Sequence, residues 1–534
     1  MGVRNQGKEG TDVRDSDQIG PDDSDALAFP GRRPESLDVR TRQDRGHEVR
    51  GGEAGSWLRF TLVGAFLGGA AARLVLAFLR PLWADEIFTL TVARKSLSGL
   101  FAALRLDSGP PLHYLAAKLL LVPFPVPGPA DVAVRLLSVV ASLLHVPLLL
   151  RIGRRCGVPR AGVVAAALFL VFPLAVASGA EGRSYALASL LALASFERLL
   201  ALEDAPRART AALAGLLGGA AVLTHYLALL PVAGMLLAAL VSERARRLAF
   251  LASGLAAALV ASWLPEALGQ PRASMAWAEA QPLGERALQF AANLGLGLSV
   301  EPGPARLLGP IALVLLGTAF LGRRVRARVP AAVPLFAGLA LLVPLLLFNR
   351  SALLPDRTAL LLLPFVALVL AEARSLVPAV AGPAAAGVLA ASLPGSLRPT
   401  PATELAATLA PQVRAGARVV AADLWGPELD YRLEREGMPG RVTPYPSVVA
   451  LHPGWYEESE ISNERLEAEA GAVLRGAEAR TLFVLSPSTR AGRALVSELI
   501  AAGGARVAEA GPFEVWVFTS DGRRGRSAGP DGSP

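Results

Sequence analysis

Two carboxylates stand side by side in "LRPLWADEIFTL" (79–90), Asp85 and Glu86, a few residues after "LRFTLVGAFLGGAAARLVLAFL", an apolar run long enough to cross a bilayer. Ionised carboxylates cost on the order of several kcal/mol to take out of water, so a pair at the end of a spanning helix calls for a role. Such groups can take a proton from an attacking hydroxyl or share a hard divalent cation. Other polar residues recur at the ends of apolar runs. Asp107 precedes His113 and Tyr114 in "LRLDSGPPLHYLAAKLLL", and Glu181, Arg183 and Tyr185 lie in "GAEGRSYALASLL". His225 and Tyr226 lie in "VLTHYLALLP", and Asp356 and Arg357 in "LLPDRTALLLLP". An arginine at a membrane boundary suits a phosphate, through directed, charge-assisted hydrogen bonds. Each residue also has a plainer reading: a solvated helix end for the acidic pair, a local turn for Asp107, a salt bridge for Glu181 and Arg183, a structural turn for His225, a span boundary for Arg357.

Such residues need elements to position them, and composition gives their kind. With 52% hydrophobic and 18% charged residues over 534 positions, and a mean hydropathy of +0.43, the chain is too apolar for an ordinary soluble enzyme and reads as an integral membrane protein. A single cysteine, Cys156, excludes an internal disulfide and a thiolate metal cluster. The net charge of +8 does not point to nucleic acid, because the arginines fall in short clusters between apolar runs, where a bilayer accounts for them.

Residues 1–55 are rich in Gly, Asp and Arg and read as a disordered tail without signal-peptide character, so that the first apolar run is retained as an anchor. Residues 56–395 hold repeated apolar runs, with about eleven spans near 57–79, 133–151, 161–178, 184–201, 210–225, 226–241, 247–264, 306–322, 330–348, 355–372 and 376–392. The arginine clusters at 151–160, 203–210, 242–247, 322–330 and 372–375 then share one side with the N-terminal tail, and the positive-inside tendency makes that side cytoplasmic. All the polar candidates map to the other side. Residues 80–131 form a long first outer loop, in which "TVARKSLSGLFAALRL" has the pattern of a helix lying in the interface, stopped by the Pro-Pro that starts the next. Residues 396–520 mix strand-like runs ("ARVVAADL", "RTLFVLSP", "FEVWVFTS") with helical ones and read as a small extracytoplasmic α/β domain, non-catalytic, before a disordered tail over 521–534.

The joint occurrence of "WADEIFTLTVA", "DSGPPLHYLAAKLLL" and "EGRSYALASLLALAS" after a first span resembles the bacterial branch of the family-39 glycosyltransferases, relatives of the dolichyl-phosphate-mannose protein mannosyltransferases and of the aminoarabinose lipid A transferase. The likeness runs over roughly 57–375, with Gly182 in place of the usual alanine and no histidine before the Pro-Pro. His113, after it, is on a different helical face and does not inherit that role. The resemblance implies a GT-C fold and transfer of a sugar from a polyprenyl-phosphate donor to a lipid, glycan or protein acceptor at the outer face of the cytoplasmic membrane. On that reading Asp85, with Glu86 beside it, is the candidate base of an inverting displacement, and Arg183 or Arg357 binds the donor phosphate. Asp107 orients the acceptor or joins Asp85 in holding a divalent cation. A solute or lipid transporter and an O-antigen-type ligase with a diphosphate-linked donor are the rivals. The first would show paired repeats with broken spans. The second would lean on basic residues in a large outer loop.

Overall fold

The computed structural model describes residues 38–124, 128–271, 281–299, 301–321, 332–348, 355–372, 386–388, 390, 397, 399–450, 461–478 and 480–517. Residues Met1–Ser56 and Trp57–Pro534 form separate compact units, and the site and its supports lie in the second. The tail expected over 1–55 falls outside the description as far as residue 37, and from Asp38 the backbone is helical.

The first half of the chain runs α1 (Asp38–Leu79), α2 (Ala84–Arg94), α3 (Leu97–Arg105), α4 (Leu112–Leu121), α5 (Pro129–Arg155), α6 (Pro159–Val171), α7 (Pro173–Gly179), α8 (Tyr185–Asp204), α9 (Ala208–Thr224) and α10 (Leu229–Val241). It continues with α11 (Arg246–Ala261), α12 (Leu264–Gly269), α13 (Leu283–Leu296), α14 (Pro302–Leu321), α15 (Ala332–Phe348) and α16 (Pro355–Glu372). Among the described residues Trp57–Leu79, Pro129–Arg155 and Tyr185–Asp204 are long and apolar enough to cross a membrane, and α6 and α7 are so only when taken together, as a pair bent by 65°. Helices α9, α10, α11, α14, α15 and α16 occupy the other places where spans were expected, as far as residue 372. The last, 376–392, lies mostly outside the described residues.

The stretch 161–178, read from the sequence as one span, is broken between α6 and α7. Pro173 has no N–H and pushes Phe172 to an extended ψ of 120°, so the carbonyls at the end of α6 lose their helical donors. Arg73, fully buried on α1, supplies the replacement, donating to Leu170 O (2.9 Å) and Phe169 O (3.5 Å) and also to Ser142 Oγ (2.8 Å). An apolar environment makes such an exchange compulsory, because no water is at hand to serve an orphaned carbonyl.

The core gathers around α16, whose residues Ala359–Leu363 and Phe365–Leu370 are at most 2% exposed. Small residues let the helices close in. An added Cβ on Gly153 of α5 would lie 2.6 Å from the Cα of Gly162 on α6.

The first outer loop differs from the expected single interfacial helix. The stretch 91–106 is split between α2 and α3, because Ser96 turns the chain and caps α3, accepting from Gly99 N at 3.1 Å. The acidic pair therefore sits in the first turn of a helix. Pro110 and Pro111 directly precede α4.

Beyond residue 400 come α17 (Pro401–Arg414), β1 (Arg418–Ala422), α18 (Trp425–Arg435), β2 (Val442–Tyr445), α19 (Asn463–Arg475), β3 (Thr481–Leu485), α20 (Arg490–Ala501), β4 (Ala505–Ala510) and β5 (Phe513–Val517). The strands form one sheet in the order β2-β1-β3-β5-β4. The first three are mutually parallel, whereas β5 runs antiparallel to both β3 and β4. The apolar runs "RVVAA" and "TLFVL" become the two central parallel strands, buried on both faces by helices.

Candidate active site

The acidic pair divides at once. Glu86, third residue of α2, is completely buried and meets Arg135 of α5 in a two-pronged pair, Nε to Oε1 at 2.7 Å and Nη2 to Oε2 at 2.6 Å. The backbone N–H of Gly182 donates to Oε1 at 2.8 Å and that of Trp83 to Oε2 at 3.3 Å, while Arg80 Nη2 stands 3.5 Å from Oε2. The same Arg135 guanidinium donates to Ala77 O (3.1 Å), Arg80 O (2.6 Å) and Pro81 O (3.0 Å), which are the carbonyls left open where α1 ends. Both oxygens of Glu86 are thus engaged. The side chain, expected from the sequence to share in the chemistry, ties the end of α1, the start of α2, α5 and the 181–183 turn to one another.

Asp85 faces the other way, with its side chain 32% exposed. Its Oδ2 lies 3.3 Å from Nη2 of Arg183, whose Nη1 donates to the Asp85 carbonyl (3.1 Å) and to Thr89 Oγ1 (3.3 Å). Arg183 is held from behind through its own carbonyl, which accepts from Ser138 Oγ at 3.1 Å. Its Nε is buried with no hydrogen-bond partner among the described residues. Burial disfavours the Arg183 charge, and Asp85, then Tyr185, Tyr114 and Asp107, more than restore it. Arg183, which the sequence assigned to phosphate, is therefore also the partner of the candidate base.

Around this pair the fold collects most of the remaining candidates. Tyr114 Oη donates to Asp107 Oδ2 at 3.4 Å, and its ring meets Phe88 of α2 edge-on at 6.0 Å. His113 is buried and shares a hydrogen bond between Nε2 and Gly182 O at 3.3 Å. Its desolvation, then the Arg183 charge, bring its pKa down to about 4, so it is neutral at physiological pH. Tyr185, the first residue of α8, lies 5.1 Å ring to ring from His225. Tyr226 Oη donates to Gln270 Oε1 at 2.9 Å, and Gln270 Nε2 in turn donates to Leu104 O and Gly109 O on the segment carrying Asp107.

Glu181 sits on the far side of the clamp, 3.4 Å from Arg80 Nη1. Burial lifts its pKa to about 7, with Arg80 opposing and Glu86 reinforcing the rise. Gly182 between Glu181 and Arg183 is tight: an added Cβ would stand 3.0 Å from Val134 Cγ1, so the alanine usual in the resembled family would need Val134 to give by a few tenths of an ångström. Asp356 accepts from Asn293 and, at 3.0 Å, from Ser299 Oγ. Arg357 lies on α16 with its side chain outside the described part.

Sequence reading missed Arg80 and Arg135, which hold the site together. A signal existed for Arg135, a lone arginine in the apolar run "ADVAVRLLSVVASLL", where an ionisable residue marks a buried partner. Among the described residues no group of three or more His, Cys, Asp or Glu is placed to hold a metal ion. The Arg183 guanidinium stands 3.3 Å from the Asp85 carboxylate that, with Asp107, was considered for a divalent cation.

Residues 108–265 match the family of the dolichyl-phosphate-mannose-protein mannosyltransferases. The match takes in "PPLHY" and "EGRSYAL" and starts after the acidic pair. No curated protein matches the chain. Among solved structures, ArnT from Cupriavidus metallidurans bound to undecaprenyl phosphate is 14% identical, with a TM-score of 0.44 over 90% of this chain and 100% of that one. The Archaeoglobus fulgidus oligosaccharyltransferase AglB, in complex with an inhibitory peptide and a dolichol-phosphate, is 12% identical with a TM-score of 0.45 over 87% and 74%. The arabinofuranosyltransferase AftD from Mycobacteria is 18% identical with a TM-score of 0.41 over 87% of this chain and 42% of its own. Likeness at this level does not carry an activity across.

Proposed function

We propose that the chain is a membrane glycosyltransferase of the GT-C kind, moving a sugar from a polyprenyl-phosphate donor to a lipid, glycan or protein acceptor at the outer face of the cytoplasmic membrane, with Asp85 as base. The observation that carries the reading is the contrast within the pair, one carboxylate sealed by Arg135 and its neighbour open beside Arg183, Asp107 and Tyr114. It is joined by the family match over 108–265.

In the proposed step the acceptor hydroxyl attacks the anomeric carbon while Asp85 takes its proton. The bond from that carbon to the phosphate oxygen breaks, and polyprenyl phosphate departs with the electron pair. Arg183 serves both ends. In this structure its guanidinium holds Asp85, and a donor phosphate competes for the same charge. Arriving donor thereby loosens Asp85 from its counter-ion when a base is needed. Asp107, tied to Tyr114, borders the acceptor side, and the C-terminal domain takes no part in bond making.

Purified protein in nanodiscs, offered a panel of polyprenyl-phosphate sugars and a lipid extract as acceptor, is expected to release polyprenyl phosphate from one of them. Asp85→Asn is expected to lower that release by about 10²–10⁴-fold, the usual range for a lost general base, with the fold intact. Undiminished release in Asp85→Asn dismisses the base, and no release by the wild type from any donor dismisses the transferase.

A further inference from the structure

Helix α18 carries a row of side chains that bond making does not use. Tyr431 is 5% exposed and belongs to the same apolar cluster as Leu82, Ile87, Leu90 and Ala93 of the α2 segment. Arg432, also buried, donates through Nη2 to the carbonyl of Leu82, and Glu428 one turn earlier steadies it at 3.0 Å. Glu434 pairs with Arg94, the last residue of α2, at 3.0 Å. Arg435 reaches Asp131 at 2.9 Å, one turn before Arg135 on α5. So α18 grips α2 just ahead of its start and at its final residue, and touches α5 next to the arginine that clamps Glu86.

We propose that α18 is a latch through which the C-terminal domain positions Asp85, with Tyr431, Arg432 and Glu434 as positioning residues. The inference rests on reading Asp85 as the base. Helix α2 has 11 residues, too few to hold a conformation unaided, so its placement is set by what packs on it. The Leu82 carbonyl lies three residues ahead of Asp85, and a shift of about 1 Å at a reacting group is enough to lower a rate by about 10²-fold. Of the contacts, the buried ones matter most. The Arg94–Glu434 pair is partly exposed and weak by itself, whereas Tyr431 and Arg432 are desolvated on docking.

The test uses the full chain in nanodiscs and reads amide hydrogen exchange beside donor turnover. Arg432→Ala and Tyr431→Ala are expected to speed exchange over 82–94 by about 10-fold or more, to leave 185–204 as in wild type, and to lower kcat by about 10-fold with little change in KM. Tyr431→Phe is expected to behave as wild type, because the hydroxyl has no hydrogen-bond partner among the described residues. Arg432→Ala also removes the partner of Glu428, so Glu434→Arg provides a probe nearer the surface. Its loosening of 82–94 is expected to be reversed by adding Arg94→Glu. Unchanged exchange over 82–94 in all the variants overturns the latch, as does faster exchange with unaltered kcat. If the wild type turns over no donor, the transferase reading is what fails, and exchange with the charge-swap rescue still decides whether α18 holds α2.

Discussion

Neighbouring carboxylates of the same chemistry are separated here by one helical step of about 100°. The side chain of Glu86 turns into α5 and finds four donors, and that of Asp85 turns toward Arg183 and the open side. Only the presence of the pair was legible in the sequence, since which member is buried depends on Arg135, 49 residues away, whose apolar surroundings mark a buried partner without saying which carboxylate it is. Glu181 lends itself to a direct measurement. Its pKa in the folded chain, about 7, lies above the ordinary 4.5, so between those values the folded state binds the proton that the unfolded state has released. Stability from this group is accordingly full below about pH 4.5 and is lost as pH rises through 7, with a slope of at most about 1.4 kcal/mol per pH unit. Glu181→Gln is expected to flatten the unfolding midpoint against pH across that window. Thermal scans of both proteins in nanodiscs check this, and parallel curves would remove Glu181 as the titrating group.

Elements show where sequence patterning suffices and where it does not. Apolar runs of spanning length announced α1, α5 and α8, and the alternation of strand-like and helical runs announced β1, β3, β5 and α19, because burial of apolar surface decides both. Strands β2 and β4 were not read, one being an edge of four residues and the other a largely exposed edge with little apolar signal. The bend between α6 and α7 was announced locally by Pro173 but stabilised from elsewhere, by an arginine of α1 that reads in the sequence as a misplaced charge. Arg73→Leu is therefore expected to destabilise although it makes the segment more apolar. Each carbonyl left without a donor costs about 1–3 kcal/mol, and Leu170 O and Phe169 O both lose theirs. A lower unfolding temperature for Arg73→Leu than for wild type in the same nanodiscs is the expected result, and an equal or higher one would mean that the bend is served by other groups.

Among the described residues, the charges separate along the helices. Helix α5 carries Asp131, beside the site, in its first turn and ends at Arg154 and Arg155. Exposed Arg207, Arg209, Arg244, Arg246 and Arg247 flank other helices at turns away from the acidic pair. Arginine-rich short loops are retained on the cytoplasmic side. On the topology proposed above the site lies outside, and α18, docked on α2, keeps the C-terminal domain beside it. The lone cysteine supplies a natural marker, because Cys156 follows α5 at its arginine end and is partly exposed. In right-side-out membrane vesicles a membrane-impermeant maleimide is expected to spare Cys156 until the membrane is opened. In a Cys156→Ser background, Glu467→Cys on the exposed face of α19 is expected to label at once. Labelling in the reverse order would put the arginine loops outside and the acidic pair in the cytoplasm, where the donor phosphate would have to be approached from the opposite leaflet. Immediate labelling at both positions would break the link between α18 and the side on which α2 lies, and with it the placement of the C-terminal domain over the site.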